Sequence, residues 1–258
     1  MTLIDAPAPT PERTDIGDML IEFKQVEKTF SNGYQALAPF DLQVGRGEIV
    51  SLVGPSGCGK TTVIRMAAGL SSVTGGELIR RTDELAYVFQ DPTLLSWRTV
   101  RSNVELVAKL KGVPAATRAA AAKAAIDTVG LSKFEKALPR QLSGGMKMRV
   151  SLARAITGAP ELMMMDEPFA ALDEFTRENM QKELLRLWRN NNFGAMFITH
   201  SISEAVTLGH RIVVMASHPG RVAAVIDSPS PPTLDDKPRD TAALADTVAT
   251  ISRLLAGE

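Results

Sequence analysis

The chain has 258 residues, with 29 Lys+Arg against 29 Asp+Glu and a formal net charge of zero. Apolar residues make up 45% and charged residues 22%, which argues against a disordered chain and for one large α/β domain or two small ones. The charge balance, without basic runs, argues against nucleic-acid binding by a broad basic surface, and the single cysteine excludes an internal disulfide framework and suits a reducing cytoplasm.

Residues 1–18 are rich in Pro, Ala and Asp and lack both a basic and an apolar region, so they read as a disordered tail and not a signal peptide. Ile21 and Phe23, then Phe40, Leu42 and Val44, alternate with polar residues and predict strands, with Ser31-Asn32-Gly33 as a turn between them. Residues 47–53 read as a buried strand, and 60–70 as a helix with Val63, Ile64, Ala67 and Leu70 on one face. From Pro92 to Leu142 the texture is helical. Val100, Val104, Val107 and Leu110 recur at helical spacing, and the Ala-rich run 115–129 stops at Gly130. Apolar strands return at 162–165, 195–199, 211–216 and 221–226; helices separate the first three, and His218-Pro219-Gly220 joins the last two as a hairpin. No stretch approaches the roughly 18–20 apolar residues that span a bilayer. A Pro/Ser linker and a short helix close the chain over 228–258.

Gly54-Pro55-Ser56-Gly57-Cys58-Gly59-Lys60-Thr61 fits G-x-x-x-x-G-K-[ST] in full, between a predicted strand and a predicted helix that continues into Thr62. The glycines let successive backbone amides turn inward around phosphate oxygens, and the helix N-terminus adds its positive dipole end. Lys60 supplies a point charge for the β/γ-phosphates, and Thr61 a hydroxyl for Mg²⁺. The apolar run ending in Asp166-Glu167 offers one carboxylate for the ion and a second as general base, although two acids at a strand tip are also an ordinary solvated end. Gln90 and His200 follow two further predicted strands, where a satisfied polar residue is the commoner reading. Between them lies Leu142-Ser143-Gly144-Gly145-Met146, in which Ser143 reads as an N-cap and the glycines expose amides, a second anion-binding helix terminus. Two phosphate-grade sites in one chain suggest two chains sharing one nucleotide.

These elements, in this order and with Ala171-Leu172-Asp173, resemble the nucleotide-binding subunit of an ABC transporter over roughly residues 19–226. Val88-Phe89-Gln90-Asp91-Pro92, Leu94-Leu95-Ser96-Trp97 and the run Asp166-Glu167-Pro168-Phe169 resemble the nitrate/sulfonate/taurine importer ATPases. The resemblance implies an α/β fold: a P-loop core with a mixed sheet, an N-terminal antiparallel β region and a helical subdomain over about 92–145 within an ATPase domain 19–227. It implies an ATPase using ATP and Mg²⁺. Phe30 would stack on adenine, with Phe in place of the Tyr of many relatives; a core Phe is the alternative. Gln90 would join Thr61 and Asp166 at the ion, His200 would touch the γ-phosphate, and Asp173 would lie at the dimer seam. Ser143, Gly144 and Gly145 would bind the nucleotide of the opposite copy. Residues 75–86 are short for the family, which implies an altered surface hairpin.

The implied partners are a second copy, an integral-membrane permease docked on residues 91–104, and indirectly an extracytoplasmic substrate-binding protein, at the cytoplasmic face of the inner membrane and without nucleic acid. Leu94, Leu95 and Trp97 would form the permease patch, unless Trp97 packs within its own helical insertion. Trp188 reads as core. Cys58, beside Lys60 at a helix N-terminus, is expected to be a reactive thiol. The rival readings are a soluble ABC-type assembly factor or clamp, and a single-chain P-loop kinase or GTPase, which has no need of a second phosphate site.

Overall fold

A computed structural model of the chain describes residues 18–235 and 237–256; the expected tail, apart from Asp18, lies outside them. In chain order the elements are β1 (Met19–Thr29), β2 (Gln35–Gly45), β3 (Ile49–Val53), α1 (Lys60–Ala67), β4 (Gly75–Arg80), β5 (Leu85–Val88), α2 (Val100–Val104), α3 (Leu106–Leu110), α4 (Ala115–Thr128), α5 (Gly144–Ile156), β6 (Leu162–Asp166), α6 (Glu174–Asn191), β7 (Gly194–Thr199), α7 (Ile202–Leu208), β8 (Arg211–Ala216), β9 (Arg221–Asp227) and α8 (Thr241–Ala256). They form two compact units, one of the residues up to Asp83 together with those from Gly194 onward, the other Glu84–Phe193.

In the first unit β1 is flanked by β2 and β4, both antiparallel to it. Its residues Ile21 and Phe23 are buried with the period of two, and a bulge at Gln25 shifts the register so that Val26 is buried as well. In the short 75–86 segment, Gly75–Arg80 forms β4 of that sheet and Leu85 opens β5. A second sheet has β3 between β7 and β8, all parallel, with β9 antiparallel to β8. Every residue of β3 and β7 is buried, which explains runs that are apolar but for Ser51 and the terminal Thr199. The expected start of β3 at Gly47 moves to Ile49 because Gly45 and Glu48 close a turn. The buried guanidinium of Arg211 at the start of β8 meets Glu48 Oε1 at 2.5 Å and donates to the Gln43 carbonyl, fastening that turn to the sheet. Leu244, Val248, Ile251 and Leu255 of α8 pack on Val53, Val206, Ile212 and Val214, so this helix covers the sheet.

The second unit pairs β5 with β6 in parallel and holds α2 to α6. The four residues Leu162, Met163, Met164 and Met165 are wholly buried, and Trp188 is core. Among the described residues no helix is long and apolar enough to cross a membrane.

Two apolar side chains, Leu70 and Leu110, depart from the sequence pattern, and a third, Trp97, takes the exposed one of its two readings. Leu70 lies beyond the end of α1 and is exposed, because the helix closes at Ala67 with a turn through Gly69. The stripe from Val100 breaks at Glu105 into α2 and α3; Val100, Val104 and Ala108 are buried, whereas Leu110, at the edge of the stripe, is exposed. Trp97 does not pack into the helical insertion and is 74% exposed.

Candidate nucleotide-binding site

In the first unit the register places Val53 opposite Thr199 on adjacent parallel strands. The loop after β3 and His200 after β7 therefore leave the sheet side by side at its carboxyl edge, where open α/β sheets bind ligands. The loop begins at buried Gly54, exposes Pro55, Ser56 and Gly57, and turns into α1, whose first turn carries the half-buried Thr61 and Thr62. Gly59 is the N-cap, with φ +95, and a Cβ there would lie 2.5 Å from Leu37 Cδ2, so both conformation and space demand glycine. Lys60 is nearly buried and folded across the loop, donating to the carbonyls of Gly54 at 2.7 Å and Pro55 at 3.0 Å. Its ammonium is thereby held where phosphate oxygens would replace those carbonyls.

Cys58 departs from expectation. Its thiol is fully buried, 3.8 Å from Lys60 Nζ, so a reagent has no direct access to it in this conformation. Phe30 is no core residue: it is 42% exposed at the end of β1. Sequence reasoning missed Tyr34, which lies four residues on across the Ser31-Asn32-Gly33 turn and stacks on Phe30. The signal was the turn itself, since residues flanking a hairpin turn face each other.

In the second unit Val88 is opposite Met165 in the parallel pair β5–β6, so Gln90 and the Asp166-Glu167 pair again leave neighbouring strand ends. Asp166 is buried, with the Tyr87 hydroxyl 3.3 Å from Oδ2. Glu167 sits at φ +48, a strained conformation for a residue other than glycine. Ser143 caps α5, its Oγ accepting from the Met146 amide at 3.3 Å, and with Gly144 it is exposed. Asp173 caps α6, and amide donation from Thr176 holds its carboxyl below the usual range. Gly145 packs on Leu172, which ties the Ser143 turn to the Asp173 turn.

The loop after Gln90 is irregular but stapled. Fully buried Asn103 accepts from the Leu95 amide at 2.8 Å and donates to the carbonyls of Leu95, Arg98 and Thr99, while Arg154 donates to those of Pro92 and Thr93. Neither residue stood out in the sequence.

A family model described as ABC transporter matches residues 37–170, a span that runs from β2 through the P-loop to just past the Asp166-Glu167 pair. The chain belongs to the ABC transporter family. It is 45% identical over 202 residues to an uncharacterized ABC transporter ATP-binding protein of Methanocaldococcus jannaschii, covering 76% of each chain. It is 43% identical over 195 residues to the taurine import ATP-binding protein TauB of Roseobacter denitrificans, covering 73% of each. With the aliphatic sulfonates import ATP-binding protein SsuB of Bacillus cereus it shares 36% identity over 223 residues, 83% of this chain and 88% of that one. A dimeric ATP-binding cassette in a post-hydrolysis state, bound to ADP and Pi, superposes with TM-score 0.71 at 29% identity, covering 81% of this chain and 98% of that one. The fold is that of an ABC ATPase cassette and the chain is an ABC-type ATPase. Import subunits among the relatives do not favour the assembly-factor alternative.

Proposed function

We propose that two copies of this chain, arranged head to tail, clamp two ATP molecules and so power a permease that imports a small anion or sulfonate-type solute of the nitrate, sulfonate or taurine class. The observation that carries the clamp is a P-loop chain with a second, exposed helix terminus capped by Ser143. The names of the taurine and aliphatic sulfonate relatives support the solute class. The stapled loop that holds Trp97 outward supports a permease docked on residues 91–104, with the chain at the cytoplasmic face of the inner membrane and a binding protein delivering solute outside.

In this reading the residue roles follow from chemistry. Phe30 stacks on adenine, and the amides of residues 54–62 with Lys60 hold the β- and γ-phosphates. The hydroxyl of Thr61, the carboxylate of Asp166 and the amide oxygen of Gln90 are hard oxygen donors that fit Mg²⁺. That ion, when bound, neutralises charge on the transferring phosphates. Glu167 accepts a proton from the attacking water, and His200 hydrogen-bonds the γ-phosphate. Ser143, Gly144 and Gly145 reach the nucleotide of the opposite copy, and Asp173 lies at the seam.

The energetics suffice. Moving a two-state equilibrium from 1:99 to 99:1 needs about 5.5 kcal/mol of differential binding. Hydrogen bonds to a charged group contribute roughly 1.5–3 kcal/mol each. Contacts from Ser143 and Gly145, made only when the copies close, meet the requirement at two sites even at about 1.5 kcal/mol each. ADP lacks the γ-phosphate, loses those contacts and lets the jaw open.

Size-exclusion chromatography of Glu167→Gln with and without ATP tests the clamp. A carboxamide cannot take the water's proton, so the variant elutes as a dimer with ATP and a monomer with ADP; a monomer at saturating ATP refutes the shared site. For the permease, the tagged chain from detergent-solubilised membranes retains an integral-membrane protein and Trp97→Glu does not. Equal recovery refutes the docking surface.

A further inference from the structure

Phe30 and Tyr34 are parallel to within 4°, with ring centroids 6.5 Å apart. The pair is held from both sides of the turn. Phe30 N donates to the Tyr34 carbonyl at 2.9 Å, Gly33 N to the Phe30 carbonyl at 2.9 Å, and Tyr34 N to Asn32 Oδ1 at 3.1 Å. The Lys28 ammonium lies over the Phe30 ring, 5.5 Å from its centroid, and is itself anchored on the Ser72 carbonyl at 2.6 Å. Yet the two rings remain 42% and 51% exposed, so they contribute little to the core.

Their place matters as much as their orientation. Two residues after Tyr34, the Ala36 carbonyl and the Leu37 side chain form the wall against which Gly59 of the P-loop packs. Gly220 joins the same wall, donating to the Ala36 carbonyl at 3.1 Å. A nucleotide whose phosphates occupy the loop thus has its base end beside this turn.

We propose that Tyr34 is a second base-positioning residue, forming with Phe30 a preset aromatic platform for the purine of the bound nucleotide. Because the rings are parallel, a base that stacks on either one takes the tilt of both, so the turn offers the purine two aromatic rings without a change of ring orientation, and the Lys28 contact holds Phe30 in place. The ring of Tyr34, not its hydroxyl, carries the effect. This inference rests on the nucleotide-binding reading above.

Titration calorimetry of the full chain with ATP and with inorganic tripolyphosphate, which has no base, separates the two. Tyr34→Ala weakens ATP about tenfold, within the range for loss of one base–aromatic stack. It leaves tripolyphosphate unchanged and raises KM for ATP with kcat preserved; Tyr34→Phe behaves as wild type. An unchanged ATP affinity in Tyr34→Ala, or an equal loss for tripolyphosphate, overturns the platform while wild-type binding of both ligands leaves the phosphate cradle intact. If the wild-type chain binds neither ligand, the nucleotide reading itself is overturned.

Discussion

A Cβ placed on Gly145 would lie 2.8 Å from Leu172 Cδ2, so the start of α5 and the turn that precedes α6 are packed as one piece. Contact of that kind makes the Ser143 turn and Asp173 a single surface. Leu172 can yield to a methyl group but not to a branched side chain, because its own burial limits its rotamers. We predict that Gly145→Val displaces Leu172, leaves ATP affinity within twofold of wild type, and abolishes the ATP-dependent dimer peak in a Glu167→Gln background. Retention of that peak would show that this surface does not meet the second copy.

Lys60 is the complementary case. Its ammonium rests on two loop carbonyls, so exchanging them for phosphate costs little reorganisation. Loss of one charge-assisted contact of about 1.5–3 kcal/mol corresponds to roughly 10- to 150-fold in affinity. Lys60→Ala should lower ATP affinity by that factor in calorimetry, with thermal stability unchanged. Unaltered affinity would contradict the phosphate assignment.

Glu167 carries a cost in the folded state, its φ of +48 being a conformation that glycine adopts freely. Glu167→Gly is predicted to raise unfolding stability by about 1 kcal/mol while reducing hydrolysis by a factor of roughly 10²–10⁴. Urea denaturation and a phosphate-release assay check the two halves. A destabilised variant would mean that the carboxylate does more for the fold than its strain costs.

The strand-end residues were legible in the sequence for a physical reason. A parallel strand buried on both faces is apolar through its length, so the acid that follows the apolar residues 162–165 marks the carboxyl edge at Asp166, and polar residues close the apolar runs before Gln90 and His200 in the same way. Ser143 was legible because capping chemistry is local. Tyr34 was marked only by its place just beyond the Ser31-Asn32-Gly33 turn, because its pairing with Phe30 follows from hairpin register and not from residue type. The burial of Cys58 was hidden, because it depends on how the loop packs and not on its neighbours in sequence, whereas the exposure of Trp97 was one of the two sequence readings. Apolar spacing alone placed Leu70 and Leu110 inside, and helix ends moved them out.

Asn103 shows how an irregular segment can be held without regular pairing. Fully buried, it serves one amide and three carbonyls of the loop that bears Trp97. Asn103→Ala orphans those groups, and we predict a loss of about 3 kcal/mol in unfolding stability. ATP affinity should stay unchanged, whereas recovery of the integral-membrane partner should fall. A variant that keeps full recovery would show that Trp97 engages without a preset loop.

His210 gives the fold a pH dependence of known sign. Its Nδ1 accepts from the Ile49 amide at 3.0 Å, and burial pushes the imidazole down to about 4, aided by Arg239 and opposed by Glu48 and the Pro232 carbonyl. An unfolded histidine protonates near 6.5. Between about 6.5 and 4 the unfolded chain therefore binds the extra proton, and stability present above 6.5 is lost as the pH falls. From pH 7.5 to 5 this single group removes about 2 kcal/mol. His210→Asn keeps an acceptor for Ile49 but cannot titrate, so its stability should fall less over that interval by the same amount. Urea unfolding at pH 7.5, 6 and 5 measures the difference, and identical pH slopes for variant and wild type would show that His210 protonates as readily folded as unfolded.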